Sequence, residues 1–380
     1  MRVGIDIQAV ADGNRSGLYN HIRWLTHHIR PLLDDEPYLL AHAARGRPLA
    51  PTAKAVSAAL DGATVTLLRQ PPRFYRIWHW MSRVNRVDVL VHNMHGYLPL
   101  ATRGANVFVV PDVIPLAFDY GVPGFADQYR PYYETAVRNG DVVIVWSEHT
   151  RQDLLTRVGG SPDRIRVVPL AAAPEFHPAD PADVQHALGP LGLASIPYVL
   201  CVATIETRKN HAVLLRAFAR MLAQAPALPH RLVLVGGKWT GNEAVFDLIR
   251  ELGLGDRVVY TGFTDSLPLI YAGADAFVFP SLYEGFGLPP LEAMASGVPV
   301  LAADASSLPE VVGDAGILFA PHDVVALADL LERVLVDRAY REDLRARGLA
   351  RATQFSWGRT AASYLDAFMT AVQSRGDGKI

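Results

Sequence analysis

Short apolar runs recur along the chain, each followed by a polar stretch and then by apolar positions at helical spacing. Val3, Ile5 and Ile7 form the first run, and Leu18, Ile22, Leu25 and Ile29 follow three or four residues apart. That spacing predicts an amphipathic helix over residues 18–30. Strand-like runs follow at 87–91, 107–110, 142–146 and 166–170, and again at 198–203, 231–235, 257–260, 274–279 and 298–302. Helical patterns separate the later ones at 213–223, 243–252 and 267–272, then close the chain at 324–336, 340–352 and from 357 onward. Near-continuous apolar strands are those of a parallel sheet covered on both faces. Their alternation with helices predicts α/β architecture with doubly wound sheets.

At 380 residues the chain is too long for one ordinary core and suits two domains. Residues 173–197 carry Pro174, Pro178, Pro181, Pro190 and Pro197 without a long apolar run, and so read as a connection. The expected order is a Rossmann-like domain over 1–172, a linker over 173–197, a second Rossmann-like domain over 198–356 and a C-terminal helix over 357–380. The first glycine loop, with Gly13 and Gly17, lacks a GxGxxG fingerprint, which argues against a dinucleotide cofactor.

Composition narrows the function further. The chain is 50% hydrophobic and 19% charged, as an ordinary soluble protein is. A formal net charge of −2 gives no reason to expect nucleic acid. Cys201 is the single cysteine, which excludes an intrachain disulfide or a thiolate metal cluster and fits a reducing compartment. The start lacks a signal-peptide pattern, and no apolar run approaches the ~20 residues of a spanning helix. The expectation is a cytoplasmic protein, at most peripheral on the inner face of the plasma membrane. Residues 70–87 set Phe74, Tyr75, Trp78, Trp80 and Met81 among Arg73, Arg76, Arg83 and Arg86. That mixture suits either an interfacial helix on anionic lipid or a surface helix with an aromatic core face.

In open parallel sheets, ligands bind beyond the carboxyl ends of the strands, at a topological switch point. The polar residues ending the first-half strands are therefore candidates: His92 and His95, Asp112 after Pro111, and Ser147. Ser147 also fits a helix N-cap. In the second half, the run 274–279 leads into Pro280-Ser281-Leu282-Tyr283-Glu284-Gly285-Phe286-Gly287-Leu288, then Pro289 and Pro290 where a helix should open, and Gly297 where it should stop. Strand, glycine loop and helix N-terminus can hold an anion on backbone N–H groups while carboxylates accept from hydroxyls. A sugar joined to a phosphate presents both. Arg208 and Lys209 are adjacent, so only one need face such a ligand, and Lys209 is preferred; two solvated charges opening a helix is the plain alternative. Glu284 and Glu292 could be paired glycosidase carboxylates, two separate hydroxyl grips on one long ligand, or, for Glu292, compensation of the helix dipole.

The stretch Glu284-Gly285-Phe286-Gly287-Leu288-Pro289-Pro290-Leu291-Glu292 resembles the E-x7-E motif of the family 4 retaining glycosyltransferases, which have the two-domain GT-B fold. Tyr260-Thr261-Gly262-Phe263, Ala272-Gly273-Ala274-Asp275, Ser296-Gly297-Val298-Pro299-Val300 and Pro309-Glu310-Val311 stand in the same order as in that family. Pro111-Asp112-Val113-Ile114-Pro115 and Val145-Trp146-Ser147-Glu148 resemble its first-domain segments. The resemblance implies two Rossmann-like domains facing across a cleft. It implies that Glu284 binds the donor sugar's hydroxyls, that Glu292 binds the ribose, and that Gly285, Phe286, Gly287 and Leu288 line sugar and phosphate. It also implies that Lys209 neutralises the leaving diphosphate and that Thr261, Gly262 and Phe263 lie near the base, with Gly236 at the neighbouring strand end. Asp112 joins Glu284 and Lys209 as a catalytic candidate, and Gly17, His92 and His95 are acceptor-side candidates.

Two positions depart from the family pattern. Thr204 stands where many relatives have an Arg, for which Arg208 could substitute, and Pro111 stands where many have a His. Family members need no metal, and the chain has no D-x-D motif at an equivalent strand end. The implied activity moves mannose from GDP-mannose to a lipid-linked or other saccharide acceptor in bacterial polysaccharide assembly, with residues 70–87 touching the membrane. A nucleotide-sugar epimerase of the same fold and a non-catalytic nucleotide-sugar binder are the alternatives; the first would turn over the donor without an acceptor.

Overall fold

The computed structural model describes residues 1–7, 17–42, 60, 65–68, 87–93, 104–194 and 196–377. The chain divides into two compact units, Met1–Leu170 with Ser356–Ile380, and Ala171–Phe355.

In the first unit the described strands are β1 (Val3–Asp6), β2 (Tyr38–His42), β3 (Val65–Leu68), β4 (Val89–Asn93), β5 (Ala105–Val110), β6 (Val142–Val145) and β7 (Ile165–Val167). They pair in parallel in the order β3-β2-β1-β4-β5-β6-β7. Every residue of β5 and β6 is buried, as the unbroken apolar runs require of strands covered on both faces. The helix Gly17–Ile29 buries Ile22, Leu25 and Ile29, the stripe its spacing predicts, together with His21. The helix Trp357–Asp377 packs on this helix and on β5 and β6, burying Ala361, Tyr364, Phe368 and Ala371. Its polar ties are Tyr364 Oη to His21 Nε2 at 2.7 Å, Thr360 Oγ1 to the Pro169 carbonyl at 2.8 Å and Arg375 Nε to Asp141 at 2.8 Å. Burial lowers the pKa of His21 to about 3, so its ring is neutral in that contact. The helix Phe125–Asn139 escapes the hydrophobic pattern: only Tyr132, Tyr133 and Ala136 are buried, and Pro131 interrupts it.

The second unit holds β8 (Tyr198–Val202), β9 (Arg231–Val235), β10 (Val258–Gly262), β11 (Ala276–Phe279), β12 (Val300–Ala303) and β13 (Ile317–Phe319). They are parallel in the order β10-β9-β8-β11-β12-β13. The chain runs outward from β8 through β9 to β10, then returns to β11 on the other side of β8. The switch point therefore lies between β8 and β11. The helix His211–Gln224 buries Val213, Leu214, Leu215, Ala217, Phe218 and Met221 and packs on the helix Val324–Val336.

The stretch 173–197 is not an open connection. It belongs to the second unit and contains the helix Pro181–Leu188, N-capped by Asp180, whose Oδ1 accepts from Ala182 N at 2.7 Å. Val184 and Leu188 are buried against the helix Leu267–Ala272. The approach is close: a Cβ on Gly273 would fall 2.6 Å from Val184 Cγ1 and 2.7 Å from Tyr198 Oη. Proline density misleads here because Pro181 sits in the first turn, where a proline starts a helix. Residues 70–86, and with them the basic aromatic segment apart from Val87, lie outside the described residues. Among the described residues no helix is long and apolar enough to cross a membrane.

Candidate functional site

At the switch point, two loops meet. The loop after β8 passes through Glu206 and a short 3-10 turn, Thr207–Lys209, and enters the helix His211–Gln224 through Asn210 in a left-handed conformation (φ 53°). The loop after β11 carries Ser281 to Gly287. Leu282 N donates to the Arg208 carbonyl at 2.9 Å, which locks the two loops together.

Around that link sit two cations and two carboxylates. Lys209 Nζ is 2.5 Å from Glu284 Oε1, and Arg208 Nη1 is 3.1 Å from the same oxygen. Arg208 Nη2 pairs with Glu206 Oε1 at 2.5 Å, and Nη1 also donates to the Tyr283 carbonyl at 2.5 Å. Ser281 Oγ adds a 2.5 Å hydrogen bond to Glu284 Oε1. Side-chain exposures of 5–12% put the whole cluster out of bulk water, so each charge depends on its partners. Burial opposes the charge of Glu284, but Lys209 and Arg208 outweigh it and hold its carboxyl below the usual range. Burial, and then Arg208, push Lys209 down, while Glu284 holds it up. Lys209 Nζ also lies 5.2 Å over the Phe279 ring.

The tip of β12, next to β11 in the sheet, braces the same loop. Ser306 Oγ accepts from Glu284 N at 2.8 Å, and Ser307 Oγ reaches the Glu284 and Phe286 carbonyls at 2.9 and 2.8 Å. Ser306 holds a left-handed φ of 50°, a costly conformation for a non-glycine residue. Gly287 follows at φ 114° with Leu308 Cδ2 at 3.0 Å from where a Cβ would sit, and the helix Leu288–Ala295 begins. Phe286 is buried and meets Phe355 edge-on at 6.0 Å.

Glu292 lies beyond the first turn of that helix and is buried, which removes dipole compensation as its role. Its Oε2 accepts from Tyr271 Oη at 3.1 Å. Burial raises its pKa to about 7, with Glu175 pushing the same way against the Tyr271 hydrogen bond. The two glutamates thus have separate partners and opposite shifts. A carboxyl with a raised native pKa destabilises the fold once the unfolded state ionises. Stability from this group is therefore greatest below about pH 4.5, falls as pH rises to about 7, and is flat above. Glu292→Gln is expected to remove that slope, a difference of up to about 3 kcal/mol at pH 8, read by urea denaturation of both proteins from pH 5 to 8.

The ends of β9 and β10 complete the rim. Gly236 N donates to the Gly262 carbonyl at 3.1 Å, Tyr260 Oη to the Gly236 carbonyl at 2.8 Å, and Ile205 N to the Gly237 carbonyl at 2.7 Å. Thr261 Oγ1 turns to the Gly262 carbonyl at 3.1 Å, and Phe263 is 73% exposed. Gly236 has φ 143°, and a Cβ there would fall 2.1 Å from the Ala203 carbonyl oxygen. That neighbour is backbone and cannot swing aside. Gly236→Ala is expected to cost at least about 1–3 kcal/mol, seen as a lowered denaturation midpoint.

The second unit thus assembles Lys209, Arg208, Glu284, Gly285, Phe286, Gly287 and Leu288 around one switch point, with Gly236, Thr261, Gly262 and Phe263 along adjoining strand ends and Glu292 inside the following helix. Sequence reasoning missed Glu206, Ser306, Ser307 and Tyr271. Glu206 had a signal, a carboxylate two residues from Arg208; the serines had none until β12 was placed beside β11.

The first-unit candidates fare differently. His92 is not at a strand tip: it lies within β4, buried, stacked on Phe108 at 4.4 Å, with Nε2 3.0 Å from Asn106 Oδ1. The strand runs to Asn93, further than its apolar residues alone indicate. Gly17 is the first residue of its helix and exposed. Asp112 follows β5, and its Oδ1 accepts from Ile114 N at 2.9 Å. Ser147 is an N-cap, accepting from Thr150 N at 3.1 Å. His95 lies outside the described residues.

Residues 194–351 match the family model Glycosyl transferases group 1. The chain is 32% identical over 328 residues to O-antigen chain mannosyltransferase B of Escherichia coli, covering 81% of this chain and 83% of that protein. It is 32% identical over 277 residues to the serotype-specific mannosyltransferase WbdA of Escherichia coli, covering 71% of this chain and 34% of that longer protein. In fold it is similar to Anabaena Alr3699/HepE, solved in complex with UDP and glucose, with a TM-score of 0.78 at 20% identity over 97% of this chain and 100% of that one. Two Rossmann-like parallel sheets of this kind are the GT-B fold. By the length and level of its identity to O-antigen chain mannosyltransferase B, and by the family match across its second unit, the chain belongs to the group 1 glycosyl transferases.

Proposed function

We propose that this chain is a retaining, metal-independent mannosyltransferase that moves mannose from GDP-mannose onto a lipid-linked saccharide in O-antigen-type polysaccharide assembly. The observation that carries it is the Lys209–Glu284 pair at the switch point, braced by Arg208, Ser281 and Ser306. The names of its relatives favour mannose as the sugar.

In this reading the Glu284 loop receives the donor sugar, and hydroxyls on that sugar are accepted by the carboxylate. The diphosphate oxygens take over Lys209, whose ammonium stabilises the charge that grows as the sugar–phosphate bond breaks. Loop N–H groups near Gly285 to Leu288 support the same charge, the role a bound cation plays elsewhere. Glu284 Oε1 is saturated by Lys209, Arg208 and Ser281, which suits a binding group better than a nucleophile. Glu292 would accept the ribose hydroxyls in ionised form, so donor affinity should weaken below about pH 7. Asp112 is the first-unit catalytic candidate, and residues 70–87 the candidate contact with a membrane surface.

A thermal-shift panel tests the donor. GDP and GDP-mannose are expected to raise the melting temperature more than UDP, ADP or their sugars at equal concentration, since binding to the native state alone stabilises it. An equal or larger rise with UDP-sugars would overturn the donor assignment. Anomeric NMR of the product then reads retention.

A further inference from the structure

Beyond the end of β5, residues 115–127 enclose a cavity of about 300 Å³ that none of the second-unit chemistry uses. Three aromatic rings form part of its wall. Phe118 meets Tyr120 at 5.1 Å, Tyr120 meets Phe125 at 5.1 Å, and Phe125 meets Tyr129 behind it at 5.2 Å. Each of these rings is only half-buried. Val122 beside them is 43% exposed. Asp119 and Asp127 line the same cavity, and both are exposed.

The cup is held open by its own turns. Asp112 Oδ1 accepts from Ile114 N where the loop leaves the sheet, and Asp119 Oδ1 accepts from Gly121 N at 2.7 Å. Gly121 (φ 67°) and Gly124 (φ 72°) both adopt left-handed conformations on either side of Val122 and Pro123.

A contiguous aromatic wall with carboxylates at its edge matches one ligand chemistry well. A pyranose has a face of C–H groups that packs on the electron-rich face of an aromatic ring, and a rim of hydroxyls that donate to carboxylates. Gly121 N–H takes only part of the acceptor capacity of Asp119. Anionic headgroups and diphosphates fit poorly, because Asp119 and Asp127 repel them. Arg157, whose Nη1 donates to the Leu116 carbonyl at 3.3 Å, is already paired with Asp153 at 3.5 Å. The volume lies at the small end of ligand pockets, enough for a single sugar ring. The loop that forms it follows β5, which pairs with β4 in the sheet.

We propose that this cup is a saccharide subsite, in which a ring of the Phe118, Tyr120 and Phe125 cluster packs on a neutral pyranose of the acceptor and Asp119 and Asp127 accept its hydroxyls. The proposal rests on the acceptor being a saccharide, as the reading above has it. Saturation-transfer NMR on the full chain, with methyl α-D-mannopyranoside and linear α-mannotriose as probes and no donor present, tests it. Saturation should reach the ring C–H protons of the probes. Tyr120→Ala and, separately, Asp127→Asn should each weaken binding at least about fivefold. The urea denaturation midpoint of the two cup variants should match that of the unmodified chain, which shows that they fold. Absence of saturation, or an unchanged affinity in both cup variants, would overturn the proposal. Displacement of the sugar by dodecyl maltoside no better than by maltose is also expected; a strong preference for the dodecyl chain would make the cup a lipid site and overturn it. Because no donor is present, a wrong assignment of GDP-mannose leaves this measurement intact.

Discussion

Lys209→Ala is expected to lower the turnover of sugar transfer about 10²–10³-fold, the cost of removing one preorganised group aimed at developing charge. The ammonium is fixed before any donor arrives, held by Glu284 at 2.5 Å and seated over the Phe279 ring. It therefore pays little reorganisation when the diphosphate charge appears. The effect should fall mainly on kcat, because the interaction is strongest in the transition state. The fold should survive, since Arg208 still faces Glu284 at 3.1 Å and Ser281 still donates to it. Single-turnover kinetics with excess enzyme would separate chemistry from product release. A kcat within a factor of three of the unmodified chain would refute the assignment.

Glu284→Ala should do more damage of a different kind. It should abolish transfer and lower stability by about 3–5 kcal/mol, the usual cost of breaking a buried pair from one side. Glu206 is already paired with Arg208, so Lys209 loses its hydrogen-bonded counter-charge. The neutralising double replacement, Glu284→Gln with Lys209→Met, should recover a substantial part of that loss, because it leaves Arg208 and Glu206 as a balanced pair. Measured by urea denaturation at pH 7.5 beside the single variants Glu284→Gln and Lys209→Met, the departure of the double from their sum is the coupling energy of the Lys209–Glu284 contact and should exceed about 1 kcal/mol. Strict additivity would mean that the pair is not coupled, and full activity in Glu284→Ala would remove it from the site.

Much of the second unit was legible because its signals are local. Unbroken apolar runs gave the parallel strands, and glycine with proline at fixed places gave the loop and helix around Glu284. What was illegible depends on sheet order. Ser306 and Ser307 have no motif of their own, and they brace Glu284 only because β12 pairs with β11. Tyr271 reads as a core aromatic until its hydroxyl is found at Glu292. In the first unit, the pattern predicts His92 at a strand end, because a polar residue after an apolar run reads as a stop. Here a polar side chain continues inside β4, accommodated by Asn106 and the Phe108 ring. The prolines of 173–197 suggest an extended connection, although Asp180-Pro181 is also a helix start.

The route of the chain through its two units also bears on how the protein is made. The segment Ala171–Phe355 is continuous, so it can close on itself as soon as it has left the ribosome. The first unit is not: its sheet is covered in part by Trp357–Asp377, more than 180 residues after Leu170. During synthesis at about 5–20 residues per second, the apolar surfaces of β5 and β6 that this helix covers stand bare for on the order of ten seconds or more. The earlier-made half is therefore the later to finish, and a nascent chain stalled before Trp357 is the species a chaperone would be expected to hold.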